Sequence, residues 1–450
     1  MIDPLPPADR IRPWSEDPRY WQYRGEPVLL IGGSREDNLF QIPDLEAELD
    51  KLAAAGGNFI RNTMSDRDAG DAYAWLRLTD GRYDLEQWNP GYWRRVDELL
   101  RLTRERDVVV QIEVWDRFDL TDAKELGGWQ RHPLNPANNR NWSFEETGFA
   151  DTYPEHPSKD GHPFYHSVPG MVGYDPRLDR VRAVQEAWLE ELLKRTLPAG
   201  NVLYCMNNET STDPAWGAHW MAFIRARAAA AGVEVFCTDM FDDGFRPESS
   251  AGVAQALADP QSYDFIDISQ VNSRNFGTDH WRRIRWVCER AHATRRPVNH
   301  TKIYSDGRLG WGSGTPQEGL ARFWRDLLAG SAAARFHRPS AGIGSSPLAL
   351  HCLRAVRLVE QQVRLWQLQP SDDLLATEDD AAYAAETTDG RAVIYLTRGT
   401  DIAMARGRAC RCTWIAPTVG AVIGEETIAA DDAVLRPPLS GPMVAVCSPV

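Results

Sequence analysis

The chain has 450 residues, 43% apolar and 25% charged, which allows one large domain plus a small one, or two to three average domains. A formal net charge of −14 argues against polyphosphate partners such as nucleic acid, and no run of roughly 18 apolar residues offers a membrane span. The opening Met1-Ile2-Asp3-Pro4-Leu5-Pro6-Pro7 lacks the basic-then-apolar pattern of a signal peptide, so a cytoplasmic chain is expected, or a secreted or periplasmic one if a leader has been removed.

In chain order, a strand pair at 20–23 and 28–31 flanks a turn at Arg24-Gly25-Glu26-Pro27. Strand-like and helix-like segments then alternate. The strand runs are 28–33, 58–63, 108–115, 202–207, 233–238, 265–271, 297–303 and 332–336. Between them, apolar residues recur at helical spacing over 45–55, 93–106, 181–197, 216–231, 252–258, 281–293, 320–328 and 348–365. Eight such pairs predict a parallel (β/α)8 barrel of the TIM type. After Leu368, Gln369-Pro370-Ser371-Asp372-Asp373 reads as a boundary to short β-rich runs, expected to form a small antiparallel sandwich. The expected division is a strand pair closing the barrel base (1–27), a catalytic barrel (28–368) and an all-β sandwich (369–450).

Neither metal nor cofactor is expected. The seven cysteines are scattered, Cys205 and Cys237 within apolar runs as buried thiols, and none has zinc spacing. Ile31-Gly32-Gly33-Ser34 lacks the rest of a phosphate loop. The 17 tryptophans are many, and stacking on sugar rings is one reason to expose indoles.

Chemistry is expected at the C-terminal tips of the strands, where a barrel opens its site. The fourth strand ends in Asn208-Glu209, and a partly desolvated carboxyl there is a candidate proton donor. The competing reading is a helix N-cap region leading through Thr210, Ser211 and Asp213. The other tips carry Asp37, Arg61, Glu113 with Trp115 and Asp116, Asp239, Asn272, His300 with Lys302, and Arg335 with His337. A packed barrel needs no such groups, so their convergence marks a polar pocket for a polyhydroxylated substrate. Glycoside cleavage needs two carboxyl groups. Glu209 is the expected acid, with Glu113, Asp116 or Asp239 as the second. Gln111, Glu113 and Trp115 alternate and are expected to share the inner face. Structural alternatives are an Arg61–Glu113 ion pair, Asp116 bound to Arg117 or to a loop amide, and a turn-capping role for Asp239. The long connection 116–176 is expected to form a wall or lid, with Trp129 or Trp142 stacking on substrate. A homo-oligomer is left open.

These residues resemble the retaining glycoside hydrolase clan built on TIM barrels. The resemblance is carried by Gly25 to Gly32, by Gly57-Asn58-Phe59-Ile60-Arg61 and by Asn208-Glu209. The run from Arg335 to Leu365 and the tail Ala382-Tyr383-Ala384-Ala385-Glu386 are most similar to the apiosidase-like group, which carries a collagen-binding-type C-terminal sandwich. The resemblance implies Glu209 as acid/base, Asn208 as a contact to the sugar 2-hydroxyl and Arg61 as support for the nucleophile. It also implies a nucleophilic Glu at the seventh strand tip, where this chain has Lys302. Either another carboxylate serves, or Lys302 binds an anionic sugar, or the barrel binds sugar without cleaving it. A different hydrolase or lyase using Lys302 or His300 as base is a further alternative.

Overall fold

The computed structural model describes residues 3–66, 68–123, 128–155, 161–305, 313–376, 379–407 and 409–450. Three short antiparallel strands come first, β1 (Arg12–Pro13), β2 (Trp21–Tyr23) and β3 (Glu26–Val28). Arg24 and Gly25 have φ of +55° and +82°, the left-handed pair that a two-residue hairpin matching strand twist requires. The expected partner run at 28–31 is therefore divided: β3 completes the hairpin, and the barrel begins one residue later at Leu30.

The barrel runs β4 (Leu30–Gly33), α1 (Leu45–Ala54), β5 (Phe59–Thr63), a hairpin of β6 (Trp75–Arg77) and β7 (Tyr83–Trp88), α2 (Pro90–Glu105) and β8 (Val109–Asp116). It continues through α3 (Phe144–Thr147), α4 (Asp179–Ala199), β9 (Val202–Asn208), α5 (Pro214–Ala230), β10 (Cys237–Thr238), α6 (Ala251–Ala258) and β11 (Ile266–Asp267). Last come α7 (Gly277–Ala293), β12 (Val298–Ile303), α8 (Pro316–Leu328), β13 (Ala333–Phe336) and α9 (Pro347–Glu360). The eight parallel strands lie in the order β10-β9-β8-β5-β4-β13-β12-β11. A Met240–Asp267 bridge and the Asp264 amide donating to Cys237 O at 2.9 Å close the ring. This is a (β/α)8 barrel.

Four helices start earlier than their apolar periodicity suggests, for a common reason. Asn89-Pro90, Asp213-Pro214, Thr315-Pro316 and Ser346-Pro347 each place a capping side chain before a proline at the first helical position. The sixth strand run, expected to reach residue 271, stops at Asp267. Its carboxylate accepts from the Ser269 amide at 2.9 Å and turns the chain into a 3-10 segment, Ser269–Asn272.

The barrel interior is layered. At the base Trp21 is wedged among Leu30, Phe59, Val109, Leu203, Phe265 and Ala333, all buried. Above lies a polar layer: Trp21 Nε1 donates to Asn299, Asn299 to Gln111, and Gln111 to Asp267 at 2.6 Å. Arg61, Glu113 and Arg335 form the next layer, so side chains become more charged toward the C-terminal end.

The C-terminal all-β domain comprises β14 (Gln369–Pro370), β15 (Ala382–Glu386), β16 (Ala392–Leu396), β17 (Ile402–Ala403), β18 (Cys410–Ala416), β19 (Ala421–Ile428), β20 (Val434–Leu435) and β21 (Met443–Pro449). Six strands form one antiparallel sheet, β14-β15-β16-β21-β18-β19, and β17 and β20 a separate ribbon. Period-2 alternation gives the sheet two apolar faces. Tyr383, Ala385, Val393, Tyr395, Val444 and Val446 join the barrel core, with Tyr395 stacked on Trp324 of α8. Ala384, Ile394, Cys412, Trp414 and Cys447 join Ile402 and Leu435 under the ribbon. The seven cysteines are all buried. Among the described residues, no helix is long and apolar enough to cross a membrane.

Candidate functional site

Glu209 sits at the tip of β9 with φ of +65°, a left-handed conformation rare for a residue with a side chain. Strain of this kind persists only where surrounding contacts over-determine it, commonly at functional sites. Its Oε1 accepts from Lys302 Nζ at 2.8 Å and Tyr304 Oη at 3.2 Å, and its Oε2 from Arg117 Nη2 at 2.9 Å. Burial alone would push this carboxyl up. Lys302 and Arg117, with hydrogen bonds from Lys302 and Gln270, outweigh burial and hold Glu209 well below the usual carboxylate range. The expected protonated acid is thus an ionised carboxylate, because the desolvation argument took no account of two adjacent cations. Its side chain remains 15% exposed.

Lys302 reaches the mouth through an irregularity. Asn299 points inward and His300 outward, so strict alternation would turn Lys302 away from the interior. The β12–β13 register shifts between His300 and Ile303, and this bulge reverses the parity. Lys302 then points in, also donating to Asn208 Oδ1 at 2.6 Å, and Ile303 packs outward in the core. Asn208 in turn donates to Asp116 Oδ1 at 3.1 Å. Asp116 also caps the amide of Phe118, so Asp116 lies at the rim in a partly structural role.

A second ionic group lies beside the first. Arg61, fully buried, binds Glu113 with two donors and Asp37 with a third. Thr63 Oγ1 adds a 3.0 Å bond to Glu113. Burial opposes charge on Asp37, but Arg338 (Nε at 3.2 Å), Arg61 and their neighbours keep it well below the usual range. His337 packs edge-on against Tyr304 at 4.8 Å with Nδ1 3.5 Å from Asp37, and burial keeps its ring neutral at physiological pH. Arg335 donates to Thr301 O at 2.6 Å and to Ser34. Asp37, Arg61, Glu113, Asn208, Glu209, Lys302, Arg335 and His337 are thereby brought together.

Five candidates are not. Trp115 departs from the inner face shared by Gln111 and Glu113, its ring packing on Trp188 of α4 (4.7 Å) and Trp220 of α5 (5.9 Å). Trp142 is buried within the 116–176 connection, donating to Leu134 O, and the alternative Trp129 is buried there too, donating to Ala150 O. These indoles are the connection's own core; residues 124–127 and 156–160 of it lie outside the described residues. Asn272 and His300 face the helices. His300 bonds Asn272 at 3.0 Å and Ser331 at 2.9 Å, while Asn272 bonds His280 at 2.8 Å. Burial lowers His300 to about 3, so it is a neutral packing group.

Asp239 also turns away, against α5. A Cβ on Gly217 would lie 2.5 Å from its Oδ2, which has no hydrogen-bond partner among the described residues, while Oδ1 accepts from Thr210 at 2.6 Å and the Met240 amide at 2.9 Å. Burial raises Asp239 to about 7. A raised carboxyl pKa stabilises the fold below the folded value and loses that contribution as pH rises from about 4 to about 7. Asp239→Asn is therefore expected to melt higher than wild type at pH 8 and to flatten this dependence. Calorimetry at pH 5, 6.5 and 8 checks it; an unchanged slope would refute the assignment.

The sequence left Tyr304 unmarked, offered Arg117 only as a structural partner of Asp116, and placed Gln270 at the sixth strand tip without a role. Arg117 and Tyr304 follow the third and seventh strand tips directly, a positional signal that was available. Among the described residues no group of three or more His, Cys, Asp or Glu is placed to hold a metal ion. Ionised Glu209 amid amide, phenol and cationic donors suits hydrogen bonding to hydroxyl groups, and suits a base or nucleophile better than an acid.

No family model and no curated protein matches the chain. Solved structures do. A glycoside hydrolase family 5 protein from Bacteroides vulgatus ATCC 8482 aligns with a TM-score of 0.64 at 13% identity, covering 99% of this chain and 95% of that one. A structure described as a glycoside hydrolase aligns at 0.61 and 12% identity, covering 99% of both chains. A third, from the same Bacteroides strain and described as a glycoside hydrolase, gives 0.59 at 11% identity, covering 98% of this chain and 83% of that one. At this identity, what is shared is the fold. It extends through the C-terminal β domain as well as the barrel.

Proposed function

We propose that this chain is a glycoside hydrolase of the TIM-barrel clan, cleaving an oligo- or polysaccharide at the barrel mouth, with the apiosidase-like group as its nearest type. The observation that carries the reading is Glu209, an ionised, strained and partly exposed carboxylate at the tip of β9, amid Asn208, Gln270, Lys302 and Tyr304. Glu209 acts as base or nucleophile in the resting state, and serves as acid only after substrate displaces a cation from it. Asn208, Lys302, Arg335 and His337 line the substrate space, and Arg61 holds Asp37 and Glu113 as the second carboxylates.

Incubation with a panel of soluble glycans, read by reducing-end release and product chromatography, tests this. Release from at least one glycan is expected, and binding without release would overturn it. The Lys302–Glu209 ion pair favours that second reading, a barrel that binds saccharide without hydrolysing it. A further expected outcome separates Lys302's roles. Lys302→Met removes a cation that lowers Glu209, so the acidic limb of the pH–rate profile should move to higher pH. An unmoved limb would mean that Glu209 does not govern the rate.

A further inference from the structure

Among the described residues, Trp14, Trp88, Trp286 and Trp366 are the tryptophans with more than marginal exposure. Trp88 lies against Trp75 and Trp93, and Trp286 is covered by the Arg290 guanidinium at 3.9 Å. Trp14 and Trp366 meet each other, with ring centroids 6.2 Å apart and planes at 71°, and the Arg364 guanidinium lies over the Trp366 ring at a longer 5.6 Å. They line one open groove of about 450 Å³, formed where the segment after β1 meets β14 and the turn at Thr387-Thr388-Asp389. Trp366 packs against the apolar plug at the barrel base, so the groove lies at the end opposite the mouth.

We infer that this groove is a second carbohydrate-binding site, for a neutral saccharide chain. Two indoles at a right angle offer apolar faces to the C–H face of a sugar ring. Gln367, Gln369 and Thr388 supply donors and acceptors for hydroxyl groups. The charged side chains are mostly paired: Arg19 with Asp17 at 2.6 Å, and Arg391 with Asp389 at 2.7 Å. Arg391 is further pinned by a 2.9 Å bond to Gln362 O. Planar polar groups fixed in this way hold their geometry before a ligand arrives; among the described lining residues Glu16 is the charge outside these two pairs, and the Arg364 guanidinium lies over Trp366, so no net positive charge favours an anionic chain. The inference rests on the carbohydrate reading above but not on catalysis. A site here would hold a long substrate while the mouth works on another part of it.

Native affinity electrophoresis in gels containing soluble xylan, mannan or mixed-linkage β-glucan tests the inference on the full chain. At least one neutral polysaccharide should retard wild type and Glu209→Gln alike. Trp14→Ala/Trp366→Ala should weaken apparent affinity about tenfold or more, the scale of losing buried aromatic anchors. Gln369→Ala/Thr388→Ala alters exposed side chains alone and should weaken it several-fold, so a folding defect cannot mimic the result. Retardation of both variants equal to wild type, or no retardation of wild type by any of the three, overturns the inference. Sugar release by an unretarded wild type refutes this site and leaves the glycosidase reading standing. Retardation lost in the groove variants, with no sugar released, does the reverse.

Discussion

Glu209→Gln is expected to lower kcat/KM on a responsive glycan by about 10²–10⁴-fold, the range for loss of a positioned acid–base group. Gln keeps the shape and one acceptor for Lys302 and Tyr304, so the loss should fall on kcat more than on KM. The charge change has a separate cost. Lys302 and Arg117 would face each other across a neutral amide, although Asn208 still binds Lys302 at 2.6 Å and Asp242 lies 3.2 Å from Arg117. These remaining partners should hold destabilisation to about 1–3 kcal/mol, typical of leaving buried groups partly unsatisfied. Steady-state kinetics beside a urea unfolding curve separates the two effects. Turnover equal to wild type would remove Glu209 from the chemistry.

The largest stability effect is expected at Arg61. Its guanidinium is 0% exposed and compensates two buried carboxylates, Asp37 at 4% and Glu113 at 0% exposure. Arg61→Met takes the bound guanidinium from Glu113 and one of two adjacent ones from Asp37, which keeps Arg338, and breaking a buried pair by removing one partner costs about 3–5 kcal/mol. The pH dependence carries a sign. In wild type the lowered pKa of Asp37 contributes stability above the unfolded value near 4 and loses it as pH falls through the folded value. Without Arg61 the buried carboxyls are less compensated, so ionising them as pH rises from about 4 toward neutrality costs the variant more than wild type. The deficit of Arg61→Met should therefore be larger at pH 7.5 than at pH 5. A deficit that is small, or larger at pH 5, would show that the triad is not the balanced charge cluster described.

The barrel was readable because two periodicities alternate eight times and because an apolar strand ending in Asn208-Glu209 has no packing explanation. Helix starts were less legible: a cap and a proline lie up to a turn ahead of the first apolar residue, as at Thr315-Pro316 before Leu320. The indoles misled. Trp115, Trp129 and Trp142 lie where substrate stacking was plausible, yet Trp115 packs on distant helices and the other two fill the core of their own connection, so exposure could not be inferred from loop position.

What the sequence determined by itself was the architecture, the polar ring of strand tips and the Arg61–Glu113 pairing offered as a structural alternative, since each follows from local pattern and strand alternation. What only the tertiary structure decided was orientation and ionisation. A bulge in β12 turned Lys302 inward, the same strand kept His300 outward, and Arg117 arrived from the loop after β8. The charge state of Glu209 depends on cations 92 and 93 residues away in the chain, meeting it at 2.9 and 2.8 Å. Coulomb energy falls with distance in space rather than along the sequence, so that ionisation could not be read before the fold was known.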